Sequence, residues 1–273
     1  MRSLLHLNKI ILLIIFFLVL NLSFALGEEE PADIWKKNEK QIIEGSEEEK
    51  KDFYTIESLE EIIIFSDLEL SDLKDILGMC TYRTYPKGSM VILEEEFGDT
   101  VYAIVNGTVK ITRVNDEGKE VILALLGPGE LFGEMAILDG ESRSANALAQ
   151  EECDLFAFPK SEFMYILKKY FKVSLSLMEE LARRLRKSDQ QIEALSLSDA
   201  EHRIGVSILN LAEDMGIIRK GQVTIEKLPF QQDIANMAGT SRETVSRVLK
   251  LFEEKSLITK VGHRLIIPDY LFF

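Results

Sequence analysis

Between Tyr82 and Phe158 the chain repeats one pattern, a short run of apolar and β-branched residues closed by a glycine-bearing turn. Tyr102-Ala103-Ile104-Val105 meets Asn106-Gly107, and Val109-Lys110-Ile111-Thr112 meets Asn115-Asp116-Glu117-Gly118. Val121 to Leu126 then meets Gly127-Pro128-Gly129. Asn-Gly and Asp-Glu-Gly between such runs are hairpin signals, because these residues tolerate the backbone angles of a tight turn. Several in succession predict a small antiparallel barrel or roll.

After Pro159 the texture turns helical. Met178, Leu181, Leu185, Ser188, Ile192 and Leu195 recur at spacings alternating between three and four, the seam of a two-stranded helical dimer. The same stripe suits the core face of a single helix, but the flanking Arg183, Arg184, Arg186, Lys187, Gln190 and Gln191 favour the dimer. Ser188 is the polar exception, fit to fix a register. Leu257-Ile258-Thr259 and Leu265-Ile266-Ile267 around Gly262 predict a wing hairpin, and Leu59 through Leu77 suits short helices leading into the sheet.

The length of 273 residues accommodates two ordinary domains and extra segments. The net charge of −14 argues against indiscriminate coating of nucleic acid. It is unevenly spread: residues 200–273 carry 10 Lys/Arg and 9 Asp/Glu, the remainder 22 against 37. DNA affinity would therefore come from a local basic cluster. Cys80 and Cys153 are too few for a disulfide framework or a four-cysteine iron–sulfur cluster, and read as reduced core thiols.

At the amino terminus Arg2 and Lys9 precede an apolar run from Ile10 to Leu20, then Ser23-Phe24-Ala25 and Glu28-Glu29-Glu30. This is a secretory-signal pattern, and as an anchor Ile10–Leu26 barely spans a bilayer. Three readings stand: a start codon placed too early (the preferred one), a membrane tether against the positive-inside rule, or an exported protein. Residues 27–54 read as an acidic, solvated linker.

Two stretches carry chemistry. Around Gly133-Glu134-Met135, glycine allows close backbone approach, Glu134 accepts hydrogen bonds from ribose hydroxyls, and the turn from Met135 offers backbone N–H groups. Arg143 offers a planar fork for two phosphate oxygens, with the Ser144 hydroxyl beside it. Taken singly, these residues suit an ordinary turn, a helix-start acid and a solvated charge equally well.

In the second stretch, Thr240-Ser241-Arg242-Glu243 fits a capping box after an Ala238-Gly239 turn. Val245, Val248, Leu249 and Phe252 form one buried stripe, leaving Arg242, Glu243, Ser246, Arg247 and Lys250 on the outer face. Arginine grips guanine bidentately and glutamate accepts from cytosine, while Lys250, Lys255, Lys260 and Arg264 would contact phosphates. A plain amphipathic core helix remains open from the pattern alone.

From about Leu59 to the C-terminus the chain resembles the cyclic AMP receptor protein family (CRP/FNR) of bacterial transcription regulators. Gly127-Pro128-Gly129-Glu130-Leu131-Phe132-Gly133-Glu134-Met135-Ala136 with Arg143-Ser144-Ala145 is similar to the family's phosphate-binding cassette, and Ser241 through Arg247 to its recognition helix. The resemblance implies an α+β chain: a cyclic-nucleotide-binding β-roll (jelly roll) over 55–168, a dimerisation helix over 169–198 and a winged helix-turn-helix over 199–273. It further implies that Glu134 binds the ribose, that Arg143 and Ser144 bind the cyclic phosphate, and that Gly133 adds a backbone contact. Leu181-Ala182-Arg183-Arg184-Leu185 resembles the dimer helix, placing Arg184 near the ligand and Ser188 near the purine.

At the next position this chain departs from the family, with Asp189 where cyclic AMP readers have serine. An ionised carboxylate only accepts hydrogen bonds, so the effector is open between cyclic AMP, another nucleotide and none. Similarity also implies Arg242, Glu243 and Arg247, flanked by Ser241, as base readers on a palindrome of TGTGA-like half-sites. The implied partners are double-stranded DNA, a second copy of the chain and RNA polymerase, in the cytoplasm. His6, His202 and His263 lie outside the sensor, against a haem-based gas sensor. No nucleophile–base pair or metal-ligand spacing predicts an enzyme. The rival readings are a nucleotide-binding module serving a partner and an exported binding protein.

Overall fold

A computed structural model describes residues 55–270. The apolar segment 1–26 and the linker 27–54 lie outside the described residues.

Helix α1 (Ile56–Glu60), a 3₁₀ turn (Ile63–Phe65) and α2 (Leu70–Leu77) lead into eight strands. These are β1 (Thr81–Tyr85), β2 (Met90–Ile92), β3 (Thr100–Asn106), β4 (Val109–Val114), β5 (Glu120–Leu126), β6 (Leu131–Phe132), β7 (Asn146–Ala149) and β8 (Cys153–Pro159), with α3 (Met135–Asp139) after β6. They form two four-stranded antiparallel sheets, ordered β1-β8-β3-β6 and β2-β7-β4-β5. The hairpin signals fall at strand ends: Gly107, Gly118 and Gly129 all take positive φ.

Strand alternation decides how the layers stack. Tyr102, Ile104, Leu155 and Ala157 of the first sheet share one core with Ile92, Val109, Leu126 and Ala147 of the second. The intervening Val101, Ala103, Phe156 and Phe158 face outward and are capped by helices through Leu59, Phe65, Phe163 and Val173. Strand β8 is thus buried on both faces. Each large side chain so enclosed contributes about 1.5–3 kcal/mol.

Helix α4 (Lys160–Lys169) leads through Tyr170 into α5 (Phe171–Leu197), 27 residues long. Val173, Leu177 and Leu181 pack on the sensor core. Beyond them Leu185, Ile192 and Leu195 are 63%, 62% and 54% exposed, and Met178 is 54% exposed. Apart from Leu181, which the sensor claims, the apolar members of the seam are left more than half exposed by the described residues.

The last domain comprises α6 (Ala200–Met215), β9 (Gly216–Arg219), β10 (Gln222–Ile225), α7 (Gln231–Ala238), α8 (Arg242–Glu254), β11 (Thr259–Val261) and β12 (Arg264–Ile267). Its strands form one sheet in the order β11-β12-β10-β9, with the wing turn at Gly262 as expected. The β9–β10 hairpin is an addition. Its two-residue turn, Lys220-Gly221, has positive φ at both positions. The hydrophobic core of this domain also takes in Ile122 and Leu125 from β5 of the sensor. Beside them the Asn236 amide donates to Glu120 Oε2 at 2.9 Å.

Candidate functional site

Strand β6 ends at Gly133, whose φ of 81° turns the chain into α3. The Arg143 guanidinium lies beneath that turn, donating through Nη1 to the Gly133 carbonyl at 2.6 Å and through Nη2 to the Thr100 carbonyl at 2.7 Å. Arg143 is 6% exposed, and burial pulls its pKa below the usual arginine value, opposed by Tyr102, Asp99 and Glu134. Two of five N–H donors are used to fix the plane of the fork, leaving the others unused by these two carbonyls. Gly98 makes this possible: a Cβ there would sit 1.9 Å from Arg143 Nε.

Glu134, 3% exposed, faces Arg184 of α5, whose Nη1 donates to Glu134 Oε1 at 3.1 Å. Burial pushes the Glu134 carboxyl up, and Arg184 opposes that shift. Arg184 also donates to Glu180 Oε1 at 2.7 Å and to the Leu131 carbonyl at 2.7 Å. For Glu180 burial raises the pKa, yet hydrogen bonds from Arg183 and the pull of Arg184 bring the balance below the ordinary carboxylate value. A buried carboxylate between two guanidiniums is compensated, whereas either partner alone would not be.

The neighbouring Arg183 reaches three elements. It donates to Glu180 at 2.8 Å and, at 3.4 Å each, to Glu130 before β6 and Asp214 on α6. Asp214 is also paired with Lys187. Sensor, long helix and last domain therefore meet around one cavity of about 250 Å³.

Of the residues singled out in the sequence, Gly133, Glu134, Met135, Arg143, Ser144, Arg184 and Ser188 all line this cavity. Ser188 donates to the Arg184 carbonyl at 3.1 Å, and the Ser144 hydroxyl lies 3.7 Å from Met135 Sδ. Asp189 does not join them: it is exposed, and on the helix it falls on the stripe of Leu185 and Ile192. Sequence reasoning missed Gly98, Thr100, Glu180 and the wall supplied by the last domain, through Asn210, Leu211, Asp214 and Met237. None of these carries a local signal.

The second site is helix α8. Ser241 is its N-cap, accepting from the Thr244 N–H at 3.2 Å. This corrects the capping box expected from Thr240 to Glu243. Gly239 is left-handed and the Thr240 N–H bonds back to the Ala235 carbonyl at 3.0 Å, so Thr240 closes α7 instead of opening α8. Glu243 then stands at the second helical position. Its carboxyl is held low by its own backbone N–H and by the Ser241 hydroxyl.

Val245, Val248, Leu249 and Phe252 are buried as the stripe predicted, and Ser241, Arg242, Glu243, Ser246, Arg247 and Lys250 are exposed. Arg247 donates to the Thr244 hydroxyl at 3.3 Å. Of the residues expected to touch phosphates, Lys255 is paired with Glu201 at 2.8 Å and Arg264 with Glu226 at 2.6 Å.

The cyclic nucleotide-binding domain family matches residues 82–170, and the Crp-like helix-turn-helix domain family matches residues 202–270. A cyclic AMP receptor protein of Thermus thermophilus is 35% identical over 195 residues, covering 71% of this chain and 87% of the relative. The cAMP-activated global transcriptional regulator CRP of Haemophilus influenzae is 29% identical over 214 residues, 77% of this chain and 95% of the relative. Among solved structures, the c-di-GMP responsive global regulator CLP of Xanthomonas campestris shares the fold with a TM-score of 0.60 at 20% identity, over 73% of this chain and 99% of that one. A sensor whose cavity abuts the DNA-binding domain, with both domain families matched in order, makes this chain a member of the cyclic AMP receptor protein (CRP/FNR) family of DNA-binding transcription regulators.

Proposed function

We propose that this regulator binds a cyclic nucleotide in the cavity beside Arg143 and, as a homodimer, reads a palindromic DNA site. The observation that carries the proposal is the pre-oriented guanidinium of Arg143 in one cavity with Glu134. In this reading Arg143 and Ser144 hold the cyclic phosphate, Gly133 and Met135 line its approach, and Glu134 takes the ribose hydroxyls. Arg184 and Ser188 close the cavity from α5. Cyclic AMP is the first candidate, because the curated relatives above are named for it. The Xanthomonas regulator, described as c-di-GMP responsive, makes another cyclic nucleotide the alternative. Asp189 favours that alternative if the seam of α5 brings it against a second helix.

The domains are read as sensor 55–168, dimerisation helix 169–198 and reader 199–273, working beside the chromosome in the cytoplasm with RNA polymerase as the onward partner. The effector acts by population shift: it binds one pose of the reader more tightly than the other and so favours that pose. On α8, Arg242, Glu243 and Arg247 read bases, with Ser241, Ser246 and Lys250 at their side.

Arg242→Ala should weaken binding to a TGTGA-type palindrome by about 1–3 kcal/mol and flatten discrimination at one base pair, measured by fluorescence anisotropy at fixed salt. A wild-type protein that binds the palindrome and a scrambled duplex equally, with and without cyclic AMP, would end this reading. Gly98→Ala tests the pocket more gently. The added methyl collides with the guanidinium of Arg143 and not with backbone, so the fold should persist while the guanidinium is displaced. Calorimetry should then show cyclic AMP affinity down about tenfold or more, roughly one charged hydrogen bond, with thermal stability nearly unchanged.

A further inference from the structure

We infer that Asp214, on α6 of the DNA-binding domain, is an electrostatic catch that holds the effector-free pose and is released by the anionic effector. This rests on the cavity being the nucleotide site, and says how that site is coupled to the reader. Polar contacts join the last domain to the rest of the chain in separate places. Asn236 donates to Glu120, Lys227 pairs with Glu151, and Asp214 meets Lys187 and Arg183 of α5. Asn236, Glu120, Lys227 and Glu151 lie away from the cavity, whereas Asp214, Lys187 and Arg183 all line it. The Lys187 and Asp214 side chains are 19% and 24% exposed, so solvent screens them less than an ion pair at the open surface.

Asp214 is held loosely enough to let go. Arg183 is committed to Glu180, donating through Nε and Nη2 at 2.8 Å each, and reaches Asp214 only at 3.4 Å. Lys187 is therefore the main partner, and its ammonium also stands 3.9 Å from Glu213. The cavity wall already carries Glu130 and Glu134 besides Asp214. A cyclic phosphate adds one more negative charge, which repels Asp214 and competes for its two cations. The apolar contact of Ile122 and Leu125 with the reader feels no such charge. Among the described residues, the Asp214 ion pairs are thus the joint between the domains on which the effector acts directly. A bound anion disfavours the pose in which Asp214 closes the cavity, so the pose described here is the effector-free one.

Asp214→Asn keeps the size of the side chain and removes its charge. The full chain and this variant are compared by anisotropy on a TGTGA-type palindrome and by calorimetry with cyclic AMP. Without effector, the DNA affinity of Asp214→Asn should rise about tenfold, and its cyclic AMP affinity should rise as well, because both draw on one equilibrium. A residue with only a structural role would raise neither. Lys187→Gln removes the catch from the other side and should shift both affinities the same way, which keeps the test open should Asp214→Asn fail to fold. A fall or no change in either affinity overturns the catch and leaves the pocket standing. A wild-type protein that binds no cyclic AMP overturns the nucleotide reading itself, and this inference with it.

Discussion

Arg143→Leu is expected to abolish the response to effector. The guanidinium is the cation fixed by two backbone carbonyls at the floor of the cavity, and a singly charged cyclic phosphate would take two charged hydrogen bonds from it. Losing them should raise the dissociation constant by about 3 kcal/mol, roughly 100-fold. Arg143→Lys keeps the charge but not the fork, so it should recover only part of that loss. Calorimetry measures the affinity, and anisotropy on operator DNA measures the response. Unchanged affinity in Arg143→Leu would remove the phosphate assignment, whatever the fold of the variant.

The second large effect is expected on the seam. Leu185 and Ile192 are 63% and 62% exposed in the single chain, so Leu185→Glu with Ile192→Glu should leave the domain folds intact. In a dimer the same positions would face their counterparts across a coiled coil, where opposed carboxylates cannot be accommodated. Under the proposed dimer, sedimentation should show the wild type as a dimer and this variant as a monomer at the same concentration. Affinity for the full palindrome should fall by 10²–10⁴, roughly the gain from joining two half-site readers, while a single half-site is bound as before. A variant that still sediments as a dimer would place the interface elsewhere.

Both effects concern residues that were visible in the sequence, for different reasons. Gly133, Glu134, Arg143 and Ser144 lie within twelve positions, and a single turn and helix bring them together. Their supports do not share that proximity. Gly98 lies just before β3 and Thr100 opens it, while Glu180 and Asn210 belong to two separate helices, joined only by the packing of the domains. No periodicity or spacing announces such partners.

The capping error arose differently. Thr240 and Ser241 are adjacent hydroxyls, and a glutamate three places after Thr240 favoured the wrong one until the left-handed Gly239 committed Thr240 to the preceding helix. Lys220-Gly221 was a legible turn between Ile217-Ile218-Arg219 and Val223-Thr224-Ile225, overshadowed by the helical stretch before it. Leu181 followed the heptad faithfully and yet packs on the sensor, because a 3–4 repeat marks an apolar face without saying what covers it.

The burial of Ile122 and Leu125 among the side chains of the reader bears on how such proteins can be recombined. A chimera that grafts this reader onto a foreign sensor would inherit an open gap in its interior unless strand β5 travelled with it. Modular exchange in this chain thus has its natural cut not at the Ser198-Asp199 joint between α5 and α6 but upstream, around the β4–β5 hairpin.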